Sequence, residues 1–592
     1  MSGWGKLTWA SFRLHAVGTI VILLAAAAAI APQRMLGYSC GHDFDFHLVS
    51  WFEAARSWQQ GLFYPHWAMS PNYYAGEPRF VFYPPLTWML GAALKFAMAW
   101  GWVALAVPYI FLAGTGLATR ALARELLDDG AATLAGCVAV FSGYALFTAY
   151  ERSAFGELTG GMWIPLLLLF ALREREPDAV GMRRALDGST APLAIVIAGI
   201  WLSNVPLGVI ACYLLAAVAA MTAVLRRSWT PVARAALGTG LGIGLACIYL
   251  VPATFEQKWV DVAQATNDPA TRIESSWMFA HHTDPALDLH DTVLLLVSII
   301  GSTMLAVVFA SLAIAWRRGR LKGKREWWIV LGAIPVAILF LQFPVSGFVW
   351  NTLPKLRFLQ FPWRWMVALE APMAILFAAA VWPLRRRWQI VVAVLCAVFF
   401  GGAIMAARVV FYPACEPEDS ISAMLGGLRS GAGFDGTDEY EPPNADDSLV
   451  AKGLPGACLV EDPTDEMAAS TPDGNPDWDA AEHTCDGTFA SRWAGPEHLQ
   501  LTADAVHAGY LVLRLRTYPA WKVTVNRRAV PQFDRREDGL MAVPVEQGHA
   551  DVDIRWTATP DVIAARWLSG TSLLLVTIVC LFERRRMRAH LS

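Results

Sequence analysis

The chain has 592 residues, 55% of them hydrophobic and 16% charged, with a formal net charge of −3. Soluble domains carry about 25% charged residues, so scarce charge, long apolar runs and a mean hydropathy of +0.40 place this chain among membrane proteins. No basic domain marks a nucleic-acid partner, and no CxxC or Cys/His cluster marks a zinc site.

Lys6 to His15 is mildly basic, and the apolar run from His15 to Ala31 reads as a first, retained transmembrane helix rather than a signal peptide. Further spans are expected near 103–120, 131–149, 159–173, 191–204, 206–225, 235–252, 293–316, 327–343, 365–383, 388–411 and 563–582. With the first they make about twelve, each near the length a bilayer requires. Residues 85–98 are apolar but short, and are expected to dip into the membrane or lie on it. Lys and Arg gather in loops at 173–184, 226–227, 317–325, 385–387 and in the tail 584–588. All five fall on one side of this span list, which the positive-inside bias makes cytoplasmic, with both termini inside. The outer side then holds 32–102, 150–158, 253–292, 344–364 and 412–562.

Residues 412–562 differ in character from the rest. A Gly/Asp/Glu/Pro-rich stretch from Cys415 to Asp479 precedes alternating runs at 498–502, 510–517, 521–526, 540–545 and 552–556, with turns at Asn526-Arg527-Arg528 and Gln547-Gly548-His549. These read as strands of a small β-sandwich. The chain thus divides into a helical membrane domain, 1–411, with a large first outer loop at 32–102; an extracytoplasmic β-rich domain, 412–562; and a final helix with a basic cytoplasmic tail, 563–592. Five cysteines lie in apolar runs. Of the four in polar segments, Cys40, Cys415, Cys458 and Cys485, the pair Cys458–Cys485 is the first disulfide to expect if they face an oxidising compartment.

The first outer loop is dense in ionisable residues: His42, Asp43, Asp45, His47, Glu53 and Arg56. Such groups beside a span are costly unless paired or used. Asp43 and Asp45 follow soon after the first span, at the depth of a lipid phosphate. A carboxylate there can act as a general base or hold a divalent cation; it can equally cap a helix starting near Phe46. His42 and His47 can serve as metal ligands, helix caps or phosphate neighbours. In the second outer loop, Arg152 and Glu157 either form an interfacial ion pair or place a second acid in the cavity that Asp43 faces. Lys355, Arg357 and Arg364 are outer-side cations that run against the positive-inside bias. They suit phosphate contacts or snorkelling to headgroups.

Gly41-His42-Asp43 with Phe46-His47, then Tyr64-Pro65-x-Trp67, Phe82-Tyr83-Pro84-Pro85-Leu86 and Gln360-Phe361-Pro362-Trp363-Arg364, together resemble a group of bacterial polytopic proteins described as "6-pyruvoyl-tetrahydropterin synthase-related". Nothing in the sequence suggests pterin chemistry. That group is similar to the GT-C superfamily of membrane glycosyltransferases, whose signature is an acidic motif after the first span. The run from Arg152 to Glu157 is placed like the second-loop acidic motif of oligosaccharyltransferase catalytic subunits, with one acid where those relatives have more. Tyr518-Pro519-Ala520-Trp521-Lys522-Val523 is similar to the sandwich ends of YfhO-like membrane proteins.

The resemblance implies an inverting GT-C-type glycosyltransferase of the bacterial inner membrane. Its partners would be membrane lipid, a polyprenyl-phosphate-linked sugar and a glycan or lipid acceptor. Asp43 would be the base and Glu157 would position the acceptor or a cation. Arg364, with Lys355 or Arg357, would hold the donor phosphate, with His42, Asp45, His47 and Arg152 around the substrate. Trp51, Trp67, Tyr73, Tyr74 and Tyr83 would stack on sugars or form an interfacial belt. A transporter or flippase of lipid-linked glycans is the rival reading, and requires charged or broken spans near the midplane. A scaffold displaying the β-domain is another.

Overall fold

The computed structural model describes the chain apart from residues 1–8, 175–185, 187, 265–267, 451, 466–468, 471–475, 478–487, 532, 534–535 and 590–592. Helices dominate up to residue 430. In chain order they include α1 (Trp9–Ala29), α2 (Phe44–Gln59), α3 (Pro85–Lys95), α4 (Trp100–Ala123), α5 (Asp129–Val140), α6 (Gly143–Tyr150), α7 (Phe155–Leu158) and α8 (Gly160–Leu172). There follow α9 (Thr190–Trp201), α10 (Val205–Arg226), α11 (Thr230–Phe255), α12 (Asp288–Arg317), α13 (Arg325–Leu341), α14 (Glu370–Val381), α15 (Arg386–Val410) and, after the β-domain, α16 (Pro560–Ala589).

Among the described residues, eight helical stretches are long and apolar enough to cross a membrane: α4, α5 with α6, α7 with α8, α10, α11, α12, α15 and α16. Two bent pairs could add two more. The helix α13 turns by 98° into Pro344–Thr352, and Pro362–Ala368 turns by 48° into α14. Prolines account for both breaks, because a proline lacks the N–H that would continue the helical ladder. The expected total of about twelve requires that the short apolar helices Ala16–Ala29 and Thr190–Trp201 also cross. At 1.5 Å per residue the 11-residue α3 reaches only about half of a bilayer core. Two spans carry a buried charged residue: Glu370 lies in α14 and Arg120 in α4.

The β-domain is built on two antiparallel sheets, beside a short antiparallel pairing of Ala469–Ser470 with Pro476–Asp477. Its strands are β1 (Ala457–Val460), β2 (Thr488–Gly495), β3 (His498–Ala505), β4 (Gly509–Arg516), β5 (Trp521–Val525), β6 (Arg528–Ala529), β7 (Leu540–Val545) and β8 (Gly548–Trp556). The three-stranded sheet has the order β1-β4-β7 and the five-stranded sheet β2-β3-β8-β5-β6. Alternation sets the inner faces. Leu501 pairs with Val552, and Val552 with Val525, so their side chains share one face. That face packs on Leu511, Leu513, Met541 and Val543 of the other sheet. Asn526 and Arg527 both take positive φ, 49° and 66°, in the two-residue turn between β5 and β6. The expected strands are present, and β1, β2 and the short β6 are additional to them.

The first loop is not a separate lobe. Trp67 sits 1% exposed inside the sandwich core, edge-on to Trp521 at 5.3 Å between centroids. The disulfide that forms between described cysteines is Cys40–Cys415, which ties the start of the first loop to the end of α15. Of the expected Cys458–Cys485 pair, Cys485 lies outside the described residues, as do Arg175 to Arg184 of the first basic loop.

Candidate functional site

The segment from Ser39 to Asp43 is laid against residues 150–153 by a ladder of short-range bonds. Ser39 Oγ donates to the Tyr150 carbonyl at 2.8 Å. The Gly41 N–H donates to Ser153 Oγ at 3.2 Å, and the Asp43 N–H to the Arg152 carbonyl at 2.9 Å. Gly41 has no alternative residue type here. A Cβ would stand 2.5 Å from the Glu151 carbonyl oxygen and 2.7 Å from the Ser153 nitrogen. On its other side the segment is held by Cys415 and by Tyr412, whose hydroxyl donates to the Gly37 carbonyl at 3.1 Å.

Asp43 stands at the N-cap of α2, yet its side chain makes no cap hydrogen bond. The helix begins at Phe44, earlier than expected, and the Asp43 carboxylate is left half-exposed. Asp45 is exposed in the first turn of α2; the cost of partial desolvation raises its pKa, with Arg79 pulling the other way.

Glu157, in the short helix α7, is buried beneath this ladder. Arg152 Nη1 donates to its Oε2 at 2.5 Å, Arg364 Nε lies 3.4 Å from the same oxygen, and Tyr144 OH donates to Oε1. Burial works against the Arg152 charge, but Glu157, with Asp43 behind it, more than offsets this and holds the guanidinium above its ordinary pKa. Arg364 is fixed in turn by the Leu359 carbonyl at 2.9 Å and Gln360 Oε1 at 3.1 Å. Asp43 acts electrostatically on both Arg152 and Arg364. Residues from three distant stretches therefore form one electrostatic unit: a half-exposed carboxylate whose charge acts on two guanidinium groups that share one buried carboxylate.

Several expectations need correction at this point. Glu157 has both oxygens engaged by donors, so it positions the two arginines and offers no open ligand position. His47 is 1% exposed and turned inward. Its Nε2 accepts the Phe155 N–H at 3.2 Å, which puts the ring proton on Nδ1, 3.3 Å from Tyr83 OH. Burial, then the nearby Arg79, lowers its pKa to about 3. His47 is thus a neutral strut between α2 and α7, with no ring nitrogen left for substrate or metal. Arg357 forms a bidentate, exposed pair with Glu274 at 2.7 and 2.9 Å, and Lys355 is exposed beside it without an ion pair among the described residues. Neither joins the Glu157 cluster. His42 is half-exposed, 3.9 Å from Glu151. Trp51 and Trp67 are core residues at 0% and 1% exposure, closed to sugars.

Tyr144 and Glu370 escaped sequence reasoning. Glu370 accepts a hydrogen bond from Ser142 Oγ at 2.9 Å and acts electrostatically on Glu157. Both lie within apolar runs where one polar letter carries no local signature. Arg79 was also missed. It donates to Glu77 at 2.5 Å, to the Phe46 carbonyl at 3.2 Å and to Thr437 Oγ1 at 3.2 Å, linking α2 to the segment after α15. Among the described residues no three His, Cys, Asp or Glu side chains gather as metal ligands.

An apolar cleft of about 390 Å³ opens between α10 and α13. Leu214, Met221, Ile334 and Leu341 line it, and it ends at Leu356 and Trp365, the latter adjacent in sequence to Arg364.

No family model and no curated protein matches the chain. Among solved structures it is similar to the oligosaccharyltransferase of Archaeoglobus fulgidus in complex with Zn and sulfate, at 14% identity and TM-score 0.43, over 71% of this chain and 58% of that one. For the apo form the values are 14%, 0.45, 74% and 62%. For the archaeal oligosaccharyltransferase AglB from the same organism, with an inhibitory peptide and a dolichol-phosphate, they are 14%, 0.45, 74% and 61%. The chain spans about three fifths of the length of these structures.

Proposed function

We propose that the chain is a membrane glycosyltransferase that moves a sugar from a polyprenyl-phosphate donor to a hydroxyl of a glycan or lipid acceptor, on the outer face of a bacterial inner membrane. One observation carries this reading: a half-exposed carboxylate, Asp43, acts electrostatically on both guanidinium groups of a buried Arg152–Glu157–Arg364 cluster. An apolar cleft reaches Trp365, next in sequence to Arg364. Asp43 accepts the proton of the acceptor hydroxyl. The acceptor oxygen forms a bond to the anomeric carbon as the bond from that carbon to the phosphate oxygen breaks, with inversion. The electron pair leaves on polyprenyl phosphate, whose growing charge Arg364 and Arg152 offset. Glu157 keeps the two guanidinium groups from repelling each other, and holds them before substrate arrives. Preorganisation of this kind is effective because the charges need not rearrange during the reaction.

A positioned base contributes roughly 10²–10⁴-fold to a rate. Asp43→Asn should therefore abolish transfer while leaving binding of decaprenyl phosphate to the full-length chain in nanodiscs unchanged. Arg364→Gln should weaken that binding. An Asp43→Asn chain that still transfers sugar, or an Arg364→Gln chain that binds decaprenyl phosphate as wild type does, overturns the assignment.

A further inference from the structure

The sandwich meets the membrane helices at a buried pair of acids, away from Asp43. Glu256 follows α11 and is 0% exposed; Asp561 opens α16 and is 6% exposed. Tyr518, in the turn between β4 and β5, donates its hydroxyl to Glu256 Oε2 at 2.5 Å, and Thr559 Oγ1 donates to Glu256 Oε1 at 2.9 Å. Tyr518 belongs to the sandwich, so the pair lies beyond the outer ends of the two spans. The two carboxyls are hydrogen-bonded to each other, and apart from Glu256 no donor reaches either buried Asp561 oxygen. Among the described residues neither acid has an ion pair with Lys or Arg. Lys258 lies over the Phe255 ring, 3.9 Å from its centroid, and the charge of Arg566 acts on Tyr64. On the sandwich side Trp556 stacks on Tyr518 at 5.2 Å, and His66, bonded to Glu497, stacks on Trp556 at 5.5 Å.

Two carboxylates cannot hydrogen-bond to each other, because an ionised carboxyl only accepts. The contact therefore holds one proton, which one carboxyl donates and the other accepts. With it the pair carries a single charge, shared among hydroxyl donors. Without it two buried charges face each other with no cation, and burial makes that arrangement costly. We propose that this shared proton is a pH-sensitive latch, which seats the sandwich on α11 and α16 and releases it when the outer compartment turns alkaline. Burial above all, opposed by Tyr518 and Thr559 and reinforced by Asp561, raises Glu256 from the ordinary 4.5 to about 7. A group raised in this way binds its proton more tightly in the folded chain than in the unfolded one. The stability it contributes is fully present below pH 4.5 and is lost as pH rises through about 7. The latch is independent of the transferase reading.

The test follows thermolysin cleavage between Trp259 and Val260 in the full-length chain in nanodiscs, at pH 5.5, 7 and 8.5, with the fragments weighed by mass spectrometry. Asp561→Asn puts a permanent amide donor in place of the shared proton, and its cleavage at each pH is the reference. Wild type should be cleaved as slowly as Asp561→Asn at pH 5.5 and at least about tenfold faster at pH 8.5, since each pH unit past the midpoint is a tenfold change in protonation. Asp551→Asn, at a side chain 67% exposed on the outer sheet face, should keep the wild-type pH dependence. Equal cleavage of wild type and Asp561→Asn across the range, a wild-type pH dependence in Asp561→Asn, or faster cleavage of Asp561→Asn at pH 5.5 overturns the latch. If Asp561→Asn does not fold, Glu256→Gln supplies the amide donor and decides in the same terms.

Discussion

At the scale of single residues, Glu157 and Asp43 are two acids with opposite expected behaviour. Glu157 is 5% exposed and its carboxylate meets two arginines and a tyrosine. Removing one partner of a buried ion pair leaves uncompensated charge, at a cost of roughly 3–5 kcal/mol. Glu157→Gln should therefore lower the stability of the full-length chain on that scale in denaturant unfolding. Asp43→Asn makes no such loss, because the Asp43 side chain caps nothing, and should stay within about 0.5 kcal/mol of wild type. Equal destabilisation by both would refute the division of labour. His47 gives a pH prediction. Its folded pKa of about 3 lies below the ordinary 6.5, so the unfolded chain binds its proton first as pH falls. The stability contributed by neutral His47 is fully present above pH 6.5 and is lost progressively as pH falls towards 3. His47→Gln should remove that part of the slope in unfolding measured between pH 4 and 7. An unchanged slope would show that His47 is not held neutral. Asp43, Arg152, Glu157 and Arg364 were legible as candidates because charge beside a span is rare. Their partners were not, since Tyr144 and Glu370 are single letters inside apolar runs.

At the scale of elements, the approach of two chain segments matters more than any one side chain. The Ser39–Asp43 segment lies so close to residues 150–153 that Gly41 has no room for a methyl group. Gly41→Ala must push the segment away, which breaks the bonds of Gly41 to Ser153 and of Asp43 to Arg152. The expected result is a loss of transfer comparable with Asp43→Asn, together with destabilisation of roughly 1–3 kcal/mol from overpacking. Wild-type transfer in Gly41→Ala would show that the register of Asp43 is unimportant. Elements were legible where a period or a proline announced them. The alternation of His498–Thr502 and Val552–Trp556 marked strands that run over His498–Ala505 and Gly548–Trp556 and bury every second residue along most of their length. Thr488–Gly495 carried no such mark, because as an edge strand it exposes most of its length. Pro344 and Pro372 flank breaks that a window of hydropathy alone smooths over.

At the scale of the whole molecule, the β-domain and the first loop are one structure. Contacts between residues more than 350 positions apart join them, which is why the sequence suggested a separable domain. Trp67 fills the sandwich core, and Thr437 Oγ1 accepts from Arg79 and donates to Glu77. Arg516, 2% exposed, donates to Glu441 at 2.7 Å, to Asn72 Oδ1 at 3.3 Å and to the Asp538 carbonyl at 2.6 Å. Deleting residues 415–560 to ask whether the sandwich is dispensable would expose Trp67 and remove Cys415 from the segment that carries Asp43. Loss of activity in such a deletion would therefore say nothing about a scaffold role. A point change separates the readings. Arg516→Met keeps volume but strands Glu441 without its cation, at a cost of roughly 3–5 kcal/mol. If the sandwich is a rigid brace for the first loop, proteolysis of loop 64–79 should accelerate in Arg516→Met, and transfer should fall even in the fraction of chains still folded. If the sandwich only covers the core, Arg516→Met should lower Tm while leaving the activity per folded chain and the loop's resistance to protease as in wild type.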